Sequence, residues 1–363
     1  MLRDHDIISV AAAPTDQFLN KELEIDNAGR TNSIEETAYL MLHDSNFADT
    51  SNLVVQLCGS CPAKLAQATT AVLDIYWNKN RILPAGIDLN LGCPQECASR
   101  EGFGAFLVEE DPGLVISCIA SMRNAIDSYH NKMNNTNKPT LSAKIRLLDS
   151  GIENTIGFAR KLKSAGVDMI ALHCRQKADK HNGDADWNAG AKVVAALSPG
   201  IPIVLNGGIS NYEDAVSVME QTKCHAVMAA TGYLGNHRCF DMKSVEPEYL
   251  ALEYLDSAEQ YPPPSYLYIQ KHLRWIFRDT LQPKNDPCFD KRDYSDYRVK
   301  LLSFLVRPYL RSIEQYRLFV ALYVKLSSDE KYNQAPASIR HLIDDVTFGS
   351  VKKAGKIIRY VKD

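Results

Sequence analysis

An alternation of short apolar runs with helix-like stretches is the feature that most limits how this chain can fold. Several of the runs are almost continuously apolar, as strands buried on both faces of a parallel sheet are, although buried helix segments can look the same. Eight runs recur, most of them ending near Gly, Pro, His or Cys: Ile7–Pro14, Ala38–His43, Asn52–Gly59, Gly86–Cys93, Leu141–Leu148, Asp168–Arg175, Ile201–Gly208 and His225–Gly232.

Eight β/α units in this length of chain indicate an α/β fold of the TIM (β/α)8 barrel type. The alternative is a doubly wound open sheet, which has fewer strands and usually binds its ligand at a glycine-rich first turn. The chain contains neither G-x-G-x-x-G nor G-x-x-x-x-G-K-[ST], so the barrel is favoured. The first two units have the weakest pattern, because residues 15–37 are polar and show no clear amphipathic helix.

A proline-rich break, Tyr261–Tyr266 (YPPPSY), separates the barrel pattern from a helical tail. Because prolines cannot continue a helix, we place the domain boundary there, with a barrel over residues 1–260 and an all-helical domain over residues 261–363. Apolar spacings of three and four predict helices in the tail at Ser265–Leu281, Tyr294–Val306, Ser312–Leu326 and Ala335–Asp345.

The formal net charge of −3 conceals an uneven distribution of charge along the chain. Residues 1–265 carry 22 basic and 33 acidic side chains, whereas residues 266–363 carry 19 basic and 11 acidic ones. A basic tail on an acidic body favours a polyanionic partner for the tail.

Composition and cysteine content are those of an ordinary globular protein, with 45% hydrophobic and 23% charged residues. No apolar run approaches the roughly 18 residues needed to span a bilayer, and Met1–Asp6 is too charged to open a signal peptide. Nine cysteines, an odd number, fit reduced thiols better than a disulfide framework. We therefore expect a cytoplasmic monomer without a membrane partner, and leave the nucleus and mitochondrion open.

Polar residues and glycines stand at the ends of six consecutive predicted strands, where a TIM barrel carries its active site. Any one of them could serve only as a cap or turn, but six in succession indicate a functional site. These residues are Gln56, Asn90, Cys93, Lys144, His173, Arg175, Asn206, Gly207, Gly208, Ala230 and Thr231.

Two of these strand ends suggest an anionic ligand, and a third carries a candidate ligand contact. Asn206–Gly208 precedes a helix that begins near Tyr212, and glycine backbone beside a helix N-terminus can hold a phosphate, although a tight turn would use the same residues. Lys144, on a buried strand, needs an anionic partner such as a cofactor ring, a phosphate or a carboxylate like that of Asp88. His173 is either a ligand contact or a core histidine bonded to the backbone.

Cys93 is the thiol best placed for chemistry, because it ends the fourth predicted strand and Pro94 follows it. A thiol with a pKa of about 8.5 is mostly protonated at neutral pH and can act as a general acid. A nucleophile or a metal ligand are the alternatives. The pairs Cys58-x2-Cys61 and Cys93-x3-Cys97 resemble four zinc ligands, but structural zinc sites usually lie on knuckles and ribbons, so we predict no metal.

The segment Asp88–Gln95 (DLNLGCPQ), together with Arg100 and Gly102–Leu107 (GFGAFL), resembles the active-site signature of the tRNA-dihydrouridine synthases, which are flavin-dependent RNA-modifying enzymes. The resemblance is strong over residues 38–240 and loose in the tail, and it is greatest to the eukaryotic branch that reduces D-loop uridines. Further similar segments follow in the family order: Val55–Leu57, Ala143–Arg146, His173–Arg175, Gly183–Trp187 and Asn206–Ile209.

This resemblance implies an FMN at the barrel mouth that is reduced by NADPH and passes a hydride to C6 of a tRNA uracil, while Cys93 protonates C5. It also implies that Gln56, Lys144 and His173 contact the flavin. The uracil must leave the folded RNA, at a cost of a few kcal/mol. The implied phosphate site is lined by Asn206, Gly207, Gly208, Ala230 and Thr231.

Members of the family carry a C-terminal helical domain that binds RNA, which gives the basic tail a role. Asn90, Arg100 and Arg175 are candidate substrate contacts, with a solvated surface role as the alternative for Arg100. Aromatic residues interleave with the basic ones in the tail, and their helical spacing predicts that most lie in the core: Tyr266, Tyr268, Trp275, Tyr309 and Tyr316. The basic candidates are Lys271, Arg274, Arg278, Arg298, Lys300, Arg307 and Arg311.

Three segments depart from the family pattern. Ala12–Thr15 (AAPT) stands where the family usually has Ala-Pro-Met, Ala230–Thr231 replaces the Gly-Arg pair of bacterial members, and Asn236–His237 replaces a frequent Asn-Pro. Two rival functions follow, a catalytically weakened tRNA-binding chaperone or adaptor and an FMN-barrel oxidoreductase acting on a free pyrimidine. The retained strand-end cysteine, lysine and histidine argue against the first, and the basic tail argues against the second.

Overall fold

A computed structural model describes residues 52–133, 138–180, 182–283, 289–293, 296–305 and 310–327 of the chain. These ranges contain six strands and thirteen helices. The strands predicted at Ile7–Pro14 and Ala38–His43 lie outside the described residues, as does the helix predicted at Ala335–Asp345.

The six strands form one parallel sheet in which their order follows the chain, β1-β2-β3-β4-β5-β6. A doubly wound sheet reverses direction at a switch point, whereas a TIM barrel adds its strands in sequence, so the predicted barrel class is confirmed. Each strand falls within one of the predicted apolar runs or one residue from it: β1 (Val54–Leu57), β2 (Gly86–Asn90), β3 (Thr140–Arg146), β4 (Met169–His173), β5 (Ile203–Asn206) and β6 (Ala226–Met228).

Seven helices lie between these strands, and their apolar faces are buried. The helix after β3 begins at Ile152 and buries Ile156, Ala159 and Leu162, which lie three residues apart on one face. It ends before Gly166, which adopts a φ of +110°. The helices are α1 (Pro62–Asn80), α2 (Glu96–Glu101), α3 (Gly104–Glu110), α4 (Pro112–Met133), α5 (Ile152–Ser164), α6 (Trp187–Leu197) and α7 (Tyr212–Thr222).

The remaining helices belong to a second compact unit, because the chain divides between Ala230 and Thr231. All but the first of them contribute to one hydrophobic core, in which the Phe277 ring packs edge-on against Phe319 at a centroid distance of 5.2 Å. None of the described helices is long and apolar enough to cross a membrane. They are α8 (Thr231–Gly235), α9 (Pro247–Gln260), α10 (Tyr266–Ile276), α11 (Arg278–Leu281), α12 (Tyr297–Leu305) and α13 (Ile313–Ser327).

The division between the units differs from the boundary predicted at residue 261. The prolines do end α9 at Gln260, but α9 buries Leu250, Ala251 and Leu255 in the same core as α10 and α13. A proline break stops a helix without separating the hydrophobic cores on its two sides. The helix α9 therefore belongs to the helical unit, and the break lies inside that unit.

Candidate functional site

The strand register brings most of the sequence-selected residues onto one face of the sheet, at the C-terminal ends of the strands. Asn90 pairs with Lys144 in register, and His173 pairs with Asn206. Because side chains alternate along a strand, Lys144 and Arg146 share a face, and Arg146 pairs with His173. The polar ends of β2, β3, β4 and β5 thus form a continuous row, which we call the strand-end site.

A buried carboxylate organises the first half of the strand-end site. Asp88 is 5% exposed, and its Oδ1 accepts a hydrogen bond from Ser142 Oγ at 2.6 Å. Its Oδ2 accepts from Gln56 Nε2 at 2.7 Å. Burial raises the pKa of Asp88, while the hydrogen bonds from Ser142 and Gln56 and the nearby charge of Lys144 oppose that shift.

The hydrogen bonds continue from Gln56 to the turn that carries Cys93. Gln56 Oε1 accepts from Asn90 Nδ2 at 2.9 Å, and Asn90 Oδ1 accepts from the backbone N–H groups of Gly92 and Cys93 at 3.1 and 3.0 Å. The side chain of Asn90 therefore closes the turn on which the thiol is placed. Asn90, predicted as a substrate contact, thus also holds the Cys93 turn, and Gln56, predicted as a cofactor contact, holds Asn90.

Helix α3 begins directly against the Cys93 turn. The Ala105 N–H donates to the carbonyl oxygen of Cys93 at 3.1 Å, and Gly104 adopts a φ of +66°. A Cβ at Gly104 would lie 2.8 Å from that carbonyl oxygen and 3.0 Å from Cys93 Cβ. Glycine is required here for both reasons, which explains why a glycine follows the cysteine signature.

The Lys144 side chain is half-buried, and its ammonium forms no hydrogen bond or ion pair with any residue in the described part of the chain. Burial, together with the charge of Arg146, lowers its pKa to about 8, against the attraction of Asp88 and Cys174. An ammonium in this environment is suited to an anionic or electron-rich ligand. The alternative partner named from the sequence, Asp88, is instead hydrogen-bonded to Gln56 and Ser142.

Sequence reasoning missed Arg146, which stood in a family motif without an assigned role. Its guanidinium is buried, with Nε donating to the Gly92 carbonyl at 2.8 Å and Nη1 donating to the Gln176 carbonyl at 3.1 Å. Among the described residues, no carboxylate pairs with it. Burial and the charge of Arg175 lower its pKa to about 10, while Cys93 opposes the shift. The two-residue spacing from Lys144 was the signal that could have found it.

The His173 side chain is buried and forms a hydrogen bond with Arg175. The distance from Arg175 Nη1 to His173 Nε2 is 3.0 Å, and a guanidinium can only donate, so Nε2 accepts and the ring hydrogen lies on Nδ1. The same guanidinium donates through Nε and Nη2 to the Gly183 carbonyl at 3.1 and 2.9 Å. Arg175, selected as a substrate contact, thus also fixes the His173 ring and the Gly183 loop.

The first of the two glycines after β5 packs tightly against His173. Gly207 and Gly208 adopt φ values of +116° and +73°, and a Cβ at Gly207 would lie 2.9 Å from the His173 ring. The Gly207 carbonyl accepts from Trp187 Nε1 at 3.0 Å, and Asn206 Nδ2 donates to the Met228 carbonyl at 2.8 Å. Only glycine backbone allows this close approach.

The start of the next helix disfavours the contribution to a phosphate site that was predicted for it. Helix α7 does begin at Tyr212, but Asn211 Oδ1 accepts from the Asp214 N–H at 2.8 Å and Asp214 Oδ2 accepts from the Ser210 N–H at 2.9 Å. With Glu213 also in the first turn, this helix end is capped and negatively charged, which disfavours an anion. The glycine turn itself remains the candidate.

Three further predicted residues lie at the margin. Ala230 is exposed at the end of the first unit, two residues beyond β6, and Thr231 opens the second unit. Arg100 is largely exposed and pairs with Glu101 at 3.3 Å, which is the geometry of a surface ion pair.

The cysteines near the strand-end site do not form a metal centre within the described ranges. The thiol of Cys58 has a pKa raised by loss of hydration, and Cys93, Glu101 and Cys97 add to the shift, so these groups are near one another. Nevertheless, the described residues contain no group of three or more His, Cys, Asp or Glu side chains arranged to hold a metal ion.

In the second unit, α10 presents a basic and aromatic surface. It buries Ile269, Leu273 and Ile276, and leaves Lys271 and Arg274 exposed. Arg278 lies 5.0 Å from the centroid of the Trp275 ring and pairs with Asp279 at 2.9 Å. The exposed side chains form what we call the α10 surface: Tyr266, Leu267, Tyr268, Lys271, Arg274 and Trp275.

The prediction that most tail aromatics lie in the core is therefore only partly correct. Tyr316 is buried, and its hydroxyl donates to the Tyr266 carbonyl at 3.0 Å. By contrast, Tyr266, Tyr268 and Trp275 are 36–42% exposed. Tyr309 lies outside the described residues, as do Arg307 and the side chain of Lys300.

A family model described as dihydrouridine synthase (Dus) matches residues 27–280, more than half of the chain, and the chain therefore belongs to the dihydrouridine synthase family. The chain is 34% identical over 232 residues to the mouse protein named tRNA-dihydrouridine(16/17) synthase [NAD(P)(+)]-like, covering 63% of this chain and 44% of that protein. It is 33% identical over 150 residues to probable tRNA-dihydrouridine synthase 1 of Synechocystis, covering 41% and 38%.

A third relative is the human tRNA-dihydrouridine(20a/20b) synthase [NAD(P)+]-like protein, 28% identical over 62% of this chain and 64% of that protein. The predicted family is confirmed, and eukaryotic members are among its relatives, as expected. The chain spans about half the length of the curated relatives it matches. The solved structure of DHODH from Eimeria tenella aligns with 64% of this chain at 13% identity and a TM-score of 0.40.

Proposed function

We propose that this protein is an FMN-dependent tRNA-dihydrouridine synthase that uses NADPH to reduce the C5=C6 bond of specific tRNA uridines. The single observation that carries the proposal is the half-buried Lys144 ammonium, which has no hydrogen-bonding partner among the described residues and shares the strand-end site with the Cys93 turn. The family membership and the names of the relatives give the same reaction class.

The residues of the strand-end site fit an FMN. Lys144 offers a positive charge for the electron-rich edge of a flavin ring, and His173 lies two residues beyond the strand position that pairs with Lys144. Of the two glycines after β5, Gly208 has a positive φ and is exposed, so its backbone is the part of this turn that is open for the phosphate. A bound FMN, once reduced by NADPH, would supply the hydride that adds to uracil C6.

Cys93 would hold the proton that goes to uracil C5. Its turn is fixed from one side by Asn90 Oδ1 and from the other by Ala105 N–H on its own carbonyl. Arg146 holds the preceding carbonyl, that of Gly92, and keeps a positive charge close to the thiol. A cation at this position would favour the negative charge that develops on the uracil carbonyl before C5 is protonated.

The α10 surface would bind tRNA. Lys271 and Arg274 are exposed for phosphates, and Tyr268 and Trp275 offer faces on which bases can stack. Several relatives are named for tRNA uridines at positions 16/17 or 20a/20b, and the D-loop is the corresponding proposal for this chain. The energy of backbone contacts would offset extraction of the uracil from the folded RNA.

The visible absorption spectrum of the purified protein, with and without NADPH, tests the cofactor and the redox half of this proposal. Oxidised-flavin bands that bleach on addition of NADPH, and return when undermodified tRNA is added, are the expected result. A free pyrimidine in place of tRNA serves as the control for the small-molecule rival, and should leave the flavin reduced.

The adaptor alternative predicts a different spectrum. A colourless protein that cannot be reconstituted with FMN, yet still shifts tRNA in a gel, would replace the enzyme by a tRNA-binding chaperone. The departure at Ala12–Thr15, outside the described residues, is the sequence feature that favours this alternative.

A further inference from the structure

A row of three side chains crosses the sheet beneath the Cys93 turn. Gln56 pairs in register with Asp88, and Asp88 pairs with Ser142, so the three lie side by side on β1, β2 and β3. Both oxygens of Asp88 are occupied, by Ser142 at 2.6 Å and by Gln56 at 2.7 Å. The Asp88 carboxylate is 5% exposed and lies at the base of the strand-end site. Burying a carboxylate costs free energy, so Asp88 is expected to have a specific role.

The direction of the hydrogen bonds in this row is fixed at both ends, by Asp88 and by the backbone N–H groups of Gly92 and Cys93. An ionised carboxylate only accepts, so at the first end Gln56 must turn its NH2 group towards Asp88. The carbonyl of Gln56 then faces Asn90, which must answer with its own NH2 group. The Asn90 carbonyl is thereby left facing the N–H groups of Gly92 and Cys93, the only arrangement in which it can cap their turn.

We propose that Asp88 is a positioning residue that orients Cys93 through Gln56 and Asn90. Its importance for catalysis rests on the proposed function, whereas the orientation of the two amides does not. Hydrogen bonds to an ionised group are stronger than those between neutral groups, so Asp88 fixes Gln56 more firmly than a neutral acceptor would. Asp88 and Cys93 are linked through two successive amides. Gln56 is oriented by its hydrogen bond with Asp88, and Asn90 is oriented by its hydrogen bond with Gln56.

Loss of one link, and its restoration with the charge moved, tests the proposal. Gln56→Met removes both hydrogen bonds of Gln56 without adding a charge, so Asp88 is no longer connected to Asn90. Gln56→Glu combined with Asp88→Asn keeps the connection, because the carboxylate at position 56 can accept both from the amide at position 88 and from Asn90. Ser142→Ala is the matched control, since it removes the other hydrogen bond to Asp88 without turning either amide.

The readout is the rate at which iodoacetamide alkylates Cys93 in the folded, purified protein, measured by peptide mass spectrometry with the other cysteines of the same digest as references. Loss of the cap should expose the half-buried thiol, and one net hydrogen bond corresponds to roughly a threefold to tenfold faster reaction. We expect this acceleration in Gln56→Met, a rate near that of the original protein in the double variant, and no change in Ser142→Ala.

Equal rates in all variants, or a double variant as fast as the single one, would overturn the proposal. If Gln56→Met does not fold, Gln56→Leu decides, because it removes the same two hydrogen bonds without adding charge and should give the same acceleration. Uridine reduction is measured in parallel, and a lower kcat at unchanged KM for tRNA is expected in Gln56→Met. Loss of all tRNA activity with the alkylation pattern intact would refute the proposed function while leaving the role of Asp88 standing.

Discussion

The strand-end site and the α10 surface hold their functional groups in opposite ways. In the strand-end site, polar side chains are buried and bonded to one another, as Asp88 is to Gln56 and Ser142. On the α10 surface, Lys271 and Arg274 stand in solvent on a helix whose other face is packed into a hydrophobic core. The first arrangement fixes geometry, and the second offers charge that can adapt to a partner.

The strand-end site and the α10 surface should therefore respond differently to substitution. A buried polar group that loses its partner pays the full cost of desolvation, whereas an exposed charge interacts through water and salt. Changes in the strand-end site should therefore alter chemistry by large factors at any ionic strength. Changes on the α10 surface should alter tRNA affinity by small factors that depend on salt.

The largest effect is expected from Cys93→Ala. Removal of a general acid usually costs about 10²–10⁴-fold in rate, so uridine reduction should fall by that factor. Flavin absorption and reduction by NADPH should stay intact, because hydride supply to the flavin does not use this thiol. Single-turnover kinetics with tRNA measure the loss, and an unchanged rate would remove Cys93 from the mechanism.

Lys144→Met should weaken flavin binding by about tenfold or more, the usual value of a hydrogen bond to a charged group. Because the pKa of Lys144 is lowered to about 8, the ammonium is charged below that pH and neutral above it. Flavin affinity of the original protein should fall as pH rises through 8, while that of Lys144→Met should stay low and flat. Fluorescence titration from about one pH unit below to one above this pKa checks this, and a persistent pH step in the variant would assign it to another group.

Gly104→Ala tests how closely α3 must approach the Cys93 turn. Gly102 offers a matched control, because its φ is +67° and nothing lies within 4 Å of a Cβ there, whereas a Cβ at Gly104 would meet the Cys93 carbonyl at 2.8 Å. Both variants should lose about 1–2 kcal/mol of stability from the left-handed backbone.

Only Gly104→Ala should also slow uridine reduction, by about tenfold, because the turn must shift to admit the methyl group. Chemical denaturation and steady-state kinetics separate the two effects. If the two alanine variants behaved alike in turnover, close packing of α3 would play no part in placing Cys93.

The smallest effect is expected on the α10 surface. Alanine at Lys271 and Arg274 should weaken tRNA binding a few-fold and lower the salt slope by about one for each phosphate that is no longer neutralised. Arg317→Ala is the control, since Arg317 is already paired with Asp256 and Glu259 at 2.6 and 2.9 Å. Filter binding at several salt concentrations measures the slope, and an equal effect in the control would mean that general charge, and not this surface, attracts the RNA.

Much of the strand-end site and of the helical tail was predictable from the sequence, for a physical reason. Buried parallel strands are continuously apolar, so their ends are visible where Asn90, His173 or Asn206 interrupts the run. The helices of the tail were equally visible from apolar spacing, and α13 at Ile313–Ser327 lies within one residue of its prediction. Residues that act alone at a strand end are therefore the easiest to find.

Residues that act through others were not predictable in this way. Asp88 and Ser142 take their roles from cross-strand register, which a one-dimensional pattern does not contain. Arg146 looked like one basic residue among many until its carbonyl partners at Gly92 and Gln176 were known. The unit boundary was misplaced for a similar reason, because the packing of α9 depends on helices that follow it in the chain.

Measuring dihydrouridine formation in tRNA is the most direct test of the proposed function. The protein and its Cys93→Ala variant would be incubated with NADPH and with tRNA from cells that lack dihydrouridine, and the digested RNA analysed by mass spectrometry. We expect the original protein to increase the mass of specific uridines by two hydrogen atoms, and the variant to produce little or no such increase in the same time. An NADPH-reducible flavoprotein that leaves every uridine unchanged would contradict the proposed function.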